Sequence, residues 1–129
     1  MKRTYVRILD VVMSRVIPLS VHGAIETLVG PAIIAAPFVL GLGEAATVVG
    51  FVLGVFVLGL ALQVPGPRRS IPLSAHAGFD YALAVAAVIA GVAIGIGTGE
   101  WAATAFLAGF GVIQVALTAS TRFSVPAGA

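Results

Sequence analysis

The sequence predicts an all-α integral membrane protein: a four-helix bundle made of two tandem two-helix repeats in parallel orientation. Hydrophobic residues make up 60% of the 129 residues and charged residues only 9%, whereas about a quarter of the residues in a soluble domain are charged. Four long stretches carry no charge, and one block of sequence occurs twice. These observations point to hydrocarbon as the main solvent and to an internal repeat.

Residues 1–16 predict a short amphipathic helix that lies on the membrane surface. Arg3, Arg7, Asp10 and Ser14 recur at helical spacing among apolar residues, so one face would meet charged headgroups. The alternative is a solvated, frayed tail. A signal peptide is not expected, because charges interrupt the apolar segment and no small-residue cleavage site follows.

The uncharged stretches predict four transmembrane helices near residues 19–42, 45–64, 73–96 and 101–120. Each approaches the roughly 20 residues that cross a bilayer core. The glycine-rich connections at residues 41–44 and 95–100 are short, so they predict antiparallel neighbours. We expect prolines to set the start of the first and third helices and Ser20 and Ser74 to cap them.

The basic residues predict the orientation of the bundle, because all of them fall on one side of it. They are Lys2, Arg3, Arg7, Arg15, Arg68, Arg69 and Arg122. Glu44 and Glu100 occupy the opposite loops. Both termini are therefore predicted to be cytoplasmic, with Arg15, Arg68, Arg69 and Arg122 near lipid headgroups.

The repeat is clearest where IPLSVH at residues 17–22 returns as IPLSAH at residues 71–76. Each unit contains two spans, so both units would enter the membrane in the same direction, about a pseudo-twofold axis along the membrane normal. The chain then divides into an N-terminal segment, a first repeat, and a second repeat with a C-terminal tail: residues 1–16, 17–66 and 67–129.

The pattern I-P-x-x-x-H-x-x-x-D of residues 71–80 resembles the start of a unit in the SPW-repeat family of small bacterial membrane proteins. Ala36, Pro37 and Phe38, followed by Gly41, resemble the S-P-W-x-x-G stretch of that family, whereas the second unit lacks the proline and the aromatic residue. The resemblance implies the four-helix fold and a location in the bacterial inner (plasma) membrane. It implies no activity.

Two histidine–acid pairs are the chemistry-bearing feature of the sequence. His22 and Glu26 are four residues apart, as are His76 and Asp80, so each pair lies on one helix face. At ~1.5 Å per residue, Glu26 would lie roughly 12 Å along the helix from Pro18, near or just inside the hydrocarbon boundary. Ionisable groups at that depth should face the bundle interior and find partners. We expect each histidine to pair with its own acid, or with the facing repeat, and so to hold helix starts together.

The alternative is a shared ligand site. Two imidazoles and two carboxylates suit a divalent zinc, iron or manganese ion. The two histidines would also suit the axial positions of a b-type haem, with arginines pairing with its propionates. The small residues expected to leave room for the porphyrin are Gly23, Ala24, Ala77 and Gly78. A proton or ion path is a third alternative, although spans two and four lack ionisable residues.

Five glycines at GxxxG spacing predict close helix–helix contact, within the bundle or between copies: Gly50, Gly54, Gly91, Gly95 and Gly99. Gln114 is expected to form a hydrogen bond across a helix interface. The chain has no cysteine and no catalytic motif, so we expect no catalysis. The predicted role is structural, scaffolding or accessory, with lipids, copies of itself or a larger membrane complex as partners and no nucleic acid.

Overall fold

The computed structural model describes residues 15–65 and 71–124, and this part of the chain is almost entirely helical. The helices are α1 (Leu19–Val39), α2 (Glu44–Ala61), α3 (Leu73–Thr98) and α4 (Trp101–Ala119). All four are long and apolar enough to cross a membrane. The all-α prediction is confirmed, and so is the prediction of four helices long and apolar enough to span a membrane. The predicted surface helix falls mainly on residues 1–14, outside the described residues, as do Arg68 and Arg69.

Two short strands complete the described chain. Strand β1 (Ile17–Pro18) precedes α1, strand β2 (Thr121–Arg122) follows α4, and the two pair in parallel. The amide of Ile17 donates a hydrogen bond of 2.9 Å to the carbonyl oxygen of Ser120. The beginning and the end of the described chain are therefore joined at one end of the bundle.

Helices α1 and α3 begin directly after Pro18 and Pro72, which have extended backbones with φ of −63° and −59°. The proline ring fixes φ near this value, so it suits the residue that leads into a helix. The expectation that Ser20 and Ser74 cap these helices was wrong. Both serines lie inside the first turn, and no side-chain cap is present, because a capping oxygen must precede that turn to reach its free amides.

The two helix pairs are closed by tight turns that depend on left-handed glycines. Gly41 has φ of 64° and Gly99 has φ of 76°, a conformation that costs residues with a Cβ atom. Gly99 is the C-cap of α3 and has no atom near the position of a Cβ. The prediction that Gly99 packs against another helix is therefore corrected: it ends its helix.

The other predicted packing glycines lie between helices. A Cβ atom on Gly54 would lie 2.7 Å from the carbonyl oxygen of Gly30 in α1, and one on Gly91 would lie 3.1 Å from the amide nitrogen of Ala108 in α4. Such contacts let two backbones approach closely. Helix α1 packs mainly on α2, and α3 on α4.

An apolar core joins the two pairs, and a polar cluster occupies one end of the bundle. The buried core residues are Ile33, Leu53, Val57, Ala87, Leu107 and Phe110. We call the end where α1 and α3 begin the site end, and the opposite end, with the two glycine turns, the loop end. Large apolar side chains such as Leu28 and Ile96 are exposed on the outside of the helices.

Candidate metal centre

Four ionisable side chains meet inside the site end. His22 and Glu26 come from α1, and His76 and Asp80 come from α3. Their exposed fractions are 2% for His76 and 0% for the other three. The four-residue spacing places each pair on one helix face, and the two faces point towards each other. We call these four residues the His–acid cluster.

Each histidine contacts both carboxylates of the cluster. His22 Nε2 lies 3.1 Å from Glu26 Oε1 and 3.1 Å from Asp80 Oδ2. His76 Nε2 lies 3.3 Å from Glu26 Oε2 and 3.4 Å from Asp80 Oδ2. Each histidine therefore contacts its own acid and the acid of the other helix, so the cluster connects α1 to α3.

The contacts of the Thr121 hydroxyl show which ring nitrogen of His22 carries a proton. Thr121 Oγ1 donates a hydrogen bond of 2.7 Å to the carbonyl oxygen of Leu117 and lies 2.8 Å from His22 Nδ1. A hydroxyl has only one proton, so Thr121 must accept the proton that His22 carries on Nδ1. The other ring nitrogen, Nε2, then faces two carboxylate oxygens, which requires a positive charge between them: a proton or a metal ion.

Gln114 of α4 supports the cluster from a third helix. Its Nε2 atom donates a hydrogen bond of 2.7 Å to Glu26 Oε1, and the side chain is buried. The sequence-based expectation of a hydrogen bond across a helix interface is confirmed. This bond orients the Glu26 carboxylate, as outer hydrogen bonds commonly orient metal ligands.

The segment after α4 covers both imidazoles. The ring of Phe123 lies 5.1 Å from that of His22 and 5.7 Å from that of His76, measured between centroids. Sequence reasoning missed both Phe123 and Thr121. They follow the last apolar span, and only the pairing of β2 with β1 brings them to the cluster.

The ligand atoms of the cluster are close enough together to hold a divalent cation. Four such atoms, one from each residue of the cluster, lie within 4.8 Å of one another. Zinc bonds of about 2.0–2.1 Å give tetrahedral edges of about 3.3–3.4 Å. The four histidine–carboxylate distances run from 3.1 to 3.4 Å but involve both oxygens of Glu26. Since the four single ligand atoms are separated by up to 4.8 Å, tetrahedral coordination would require them to move closer together. With both imidazoles neutral, as metal ligands are, the two carboxylates also balance the charge of a divalent ion.

One oxygen of the cluster remains unused by the protein. Asp80 Oδ1 is buried and has no hydrogen-bond partner in the described part of the chain. A buried polar atom without a protein partner is costly, and a bound ion or water is a common reason for one. This atom is consistent with a ligand at the cluster.

The same residues do not fit a b-type haem. A porphyrin plane between His22 and His76 would need the space that the carboxylates of Glu26 and Asp80 occupy beside both Nε2 atoms. The small residues expected to make room do not form one slot. Gly23 faces Val64 near the end of α2, whereas Gly78 is exposed.

No protein-family model matches the chain, and neither a curated protein nor a solved structure matches it. What the protein does is therefore inferred from the cluster and from the bundle that holds it.

Proposed function

We propose that the protein is a small multi-pass membrane protein that binds one divalent transition-metal ion, zinc in the first instance, in the His–acid cluster. One observation carries this proposal: two imidazoles and two carboxylates converge in a buried position, with one ligand atom from each within 4.8 Å of the others. The hydrogen bond from His22 Nδ1 to Thr121 supports it, because it leaves Nε2 as the ligand atom.

The ion has a structural role and supports no catalysis. All four positions of a tetrahedral site would be filled by protein ligands, which is the arrangement of structural zinc sites, whereas catalytic sites keep one position open. The ion would tie α1 to α3. This role agrees with a scaffolding or accessory subunit, whose partners are lipids, copies of the chain or a larger membrane complex.

The proposed setting is the bacterial inner membrane, with both termini in the cytoplasm. The distribution of basic residues supports this orientation, and the exposed apolar side chains suit a surface that faces hydrocarbon. The site end would then lie at the cytoplasmic leaflet. The reciprocal contacts of His22 with Asp80 and of His76 with Glu26 support two repeats about an axis through the cluster, as the SPW-repeat resemblance implies.

A second candidate is a clamp that holds the helices without a metal. The distances favour it, because the Nε2 atom of each histidine already lies within 3.4 Å of an oxygen of both carboxylates. Two protonated imidazoles would balance the two carboxylates as well as one divalent ion does. Buried polar groups of this kind commonly hold membrane helices together.

Metal content of the purified full-length chain tests the proposal. After chelation and reloading with zinc, we expect about one ion per chain for a single four-ligand site. The double variant His22→Ala/His76→Ala should bind none. A matched control is Thr104→Val, which removes a half-buried hydroxyl of α4 that donates to the carbonyl oxygen of Gly91, away from the cluster; it should bind as the original chain does. A zinc-free original chain would overturn the proposal.

Thermal unfolding separates the two candidates. If the metal ties the helices, chelation lowers the midpoint of the original chain and leaves that of the double variant unchanged. If the cluster is a metal-free clamp, chelation has no effect, and the double variant alone has a lower midpoint.

A further inference from the structure

A cavity lies beside the cluster at the site end. Its volume is about 710 Å³, and its walls are the first turns of α1, the end of α2 and the segment from β2 onwards. The side chains along α1 and α2 are small or apolar, among them Gly23, Ala24 and Ala61. Ala24 and Thr27 are exposed, so the cavity opens to the surroundings of the bundle.

The mouth of this cavity is polar and positively charged. Arg122, Ser124 and Ser20 line it, and all three are exposed. Arg122 forms no ion pair with any carboxylate in residues 15–65 and 71–124. The described acids lie either inside the His–acid cluster or at the loop end, as Glu44 and Glu100 do. The guanidinium group is therefore available to an anion.

The strand geometry directs Arg122 towards the cavity. Successive side chains of an extended segment point to opposite sides. Thr121 is buried against His22 and Phe123 is half-buried over the imidazoles, whereas Arg122 and Ser124 are exposed and line the cavity. One short segment thus covers the cluster with one side and forms the cavity mouth with the other.

We propose that this cavity binds an anionic phospholipid, with the headgroup phosphate at Arg122 and Ser124 and an acyl chain along α1 and α2. Arginine binds phosphate through two parallel hydrogen bonds. At ~1.5 Å per residue, the cavity extends about 13 Å along α1 from Pro18 to Thr27, which suits the upper part of an acyl chain. The proposal rests on the cytoplasmic orientation of the proposed function and is independent of the metal.

Retention of lipid by the full-length chain tests the site. Native mass spectrometry after release from mixed vesicles should show phosphatidylglycerol retained in preference to phosphatidylcholine with the same acyl chains. Arg122→Gln should lower that retention roughly tenfold, the loss expected for one charge-assisted contact. The matched control is Arg15→Gln, which removes the same charge from an exposed arginine at the same end that does not line the cavity; because any headgroup contact of Arg15 lies outside the cavity, this variant should retain clearly more lipid than Arg122→Gln. Equal retention by both variants would overturn the site.

A photo-crosslinking amino acid at Ala24 identifies the occupant directly. A covalent adduct with phosphatidylglycerol supports the proposal. An adduct with residues 1–14 of the same chain, or with a second copy, would overturn it and identify another occupant.

Cysteine labelling separates a failure of the lipid site from a failure of the orientation. The chain has no native cysteine, so Ser124→Cys and Leu42→Cys report on single positions. Labelling of Ser124→Cys only from the cytoplasm, and of Leu42→Cys only from outside, supports the orientation. With that result in hand, lipid retention by Arg122→Gln equal to the original would count against the lipid site alone.

Discussion

The acidic residues at the two ends of the bundle differ in burial and in their partners. At the loop end, Glu100 accepts a hydrogen bond of 2.6 Å from the amide of Gly43, and Glu44 is exposed at the start of α2. At the site end, Glu26 and Asp80 are fully buried among histidines. A backbone amide and water are enough for an acid that closes a turn. An acid withdrawn from water needs a positive charge beside it, so among the described residues the acids of the site end need such a charge and those of the loop end do not.

Replacing one acid at each end should give the largest difference in stability between the two ends. Glu26→Leu removes a partner of His22, His76 and Gln114 at once, and breaking such a buried pair costs about 3–5 kcal/mol. Glu100→Gln keeps an oxygen for the amide of Gly43 and should cost about 1 kcal/mol or less. Equilibrium unfolding in detergent or bicelles measures both. Equal losses of stability would show that the ends do not differ in this way.

Zinc should stabilise the protein through the site end alone. A ligand that binds only the folded state at a hundred times its dissociation constant adds about 2.7 kcal/mol to the free energy of unfolding. Asp80→Asn should abolish this gain, because it removes one ligand charge from the cluster. Glu44→Gln, the matched change at the loop end, should keep it. The measurement is the unfolding midpoint with and without zinc, and a gain that survives in Asp80→Asn would contradict the assignment of the site.

Removing a hydroxyl group should weaken zinc binding at the site end and leave it unchanged at the loop end. Thr121→Val removes the acceptor of His22 Nδ1–H and should weaken zinc binding by about 10–100-fold, the usual effect of losing an outer partner. Thr121→Ser should restore binding. Thr98→Val removes a hydroxyl that hydrogen-bonds only the backbone near the loop end and should leave zinc affinity unchanged. Competition with a chelating dye gives the affinities.

The smallest expected effect concerns the turn glycines. Gly99→Ala places a Cβ atom on a left-handed residue with φ of 76° and should cost about 1–2 kcal/mol of stability. Zinc affinity should stay the same, because the loop end shares no residue with the cluster. A parallel loss of zinc binding would mean that the two ends are coupled through the helices.

The sequence predicted the fold well because the hydrophobic pattern determines it. The four long uncharged stretches predicted where the helices lie, and the glycine-rich connections predicted the turns between paired helices. Their ends were less accurate: α1 stops at Val39, before the predicted residue 42, because the left-handed Gly41 ends the helix. Likewise, Ser20 and Ser74 were assigned as caps from residue type, although Pro18 and Pro72 take the N-cap position.

The sequence predicted the composition of each His–acid pair but not the residues from other segments that complete the site. The four-residue spacing of His22 with Glu26, and of His76 with Asp80, showed that each pair shares a helix face. The meeting of the pairs depends on how α1 and α3 are placed across the bundle, and no local pattern contains that information. Thr121 and Phe123 carry no signal of their own, because two-residue strand pairing between distant segments has no periodicity to detect.

Because β2 pairs with β1, the residues that complete the cluster are synthesised last among those that contact it. Membrane helices emerge from the ribosome one after another, so His22 and Glu26 are synthesised long before Gln114, Thr121 and Phe123. A nascent chain that has reached only α3 already contains all four proposed ligands. It lacks the hydroxyl that holds His22 Nδ1 and the ring that covers both imidazoles. The contacts of Thr121 and Phe123 with the cluster therefore form only after synthesis has passed Phe123.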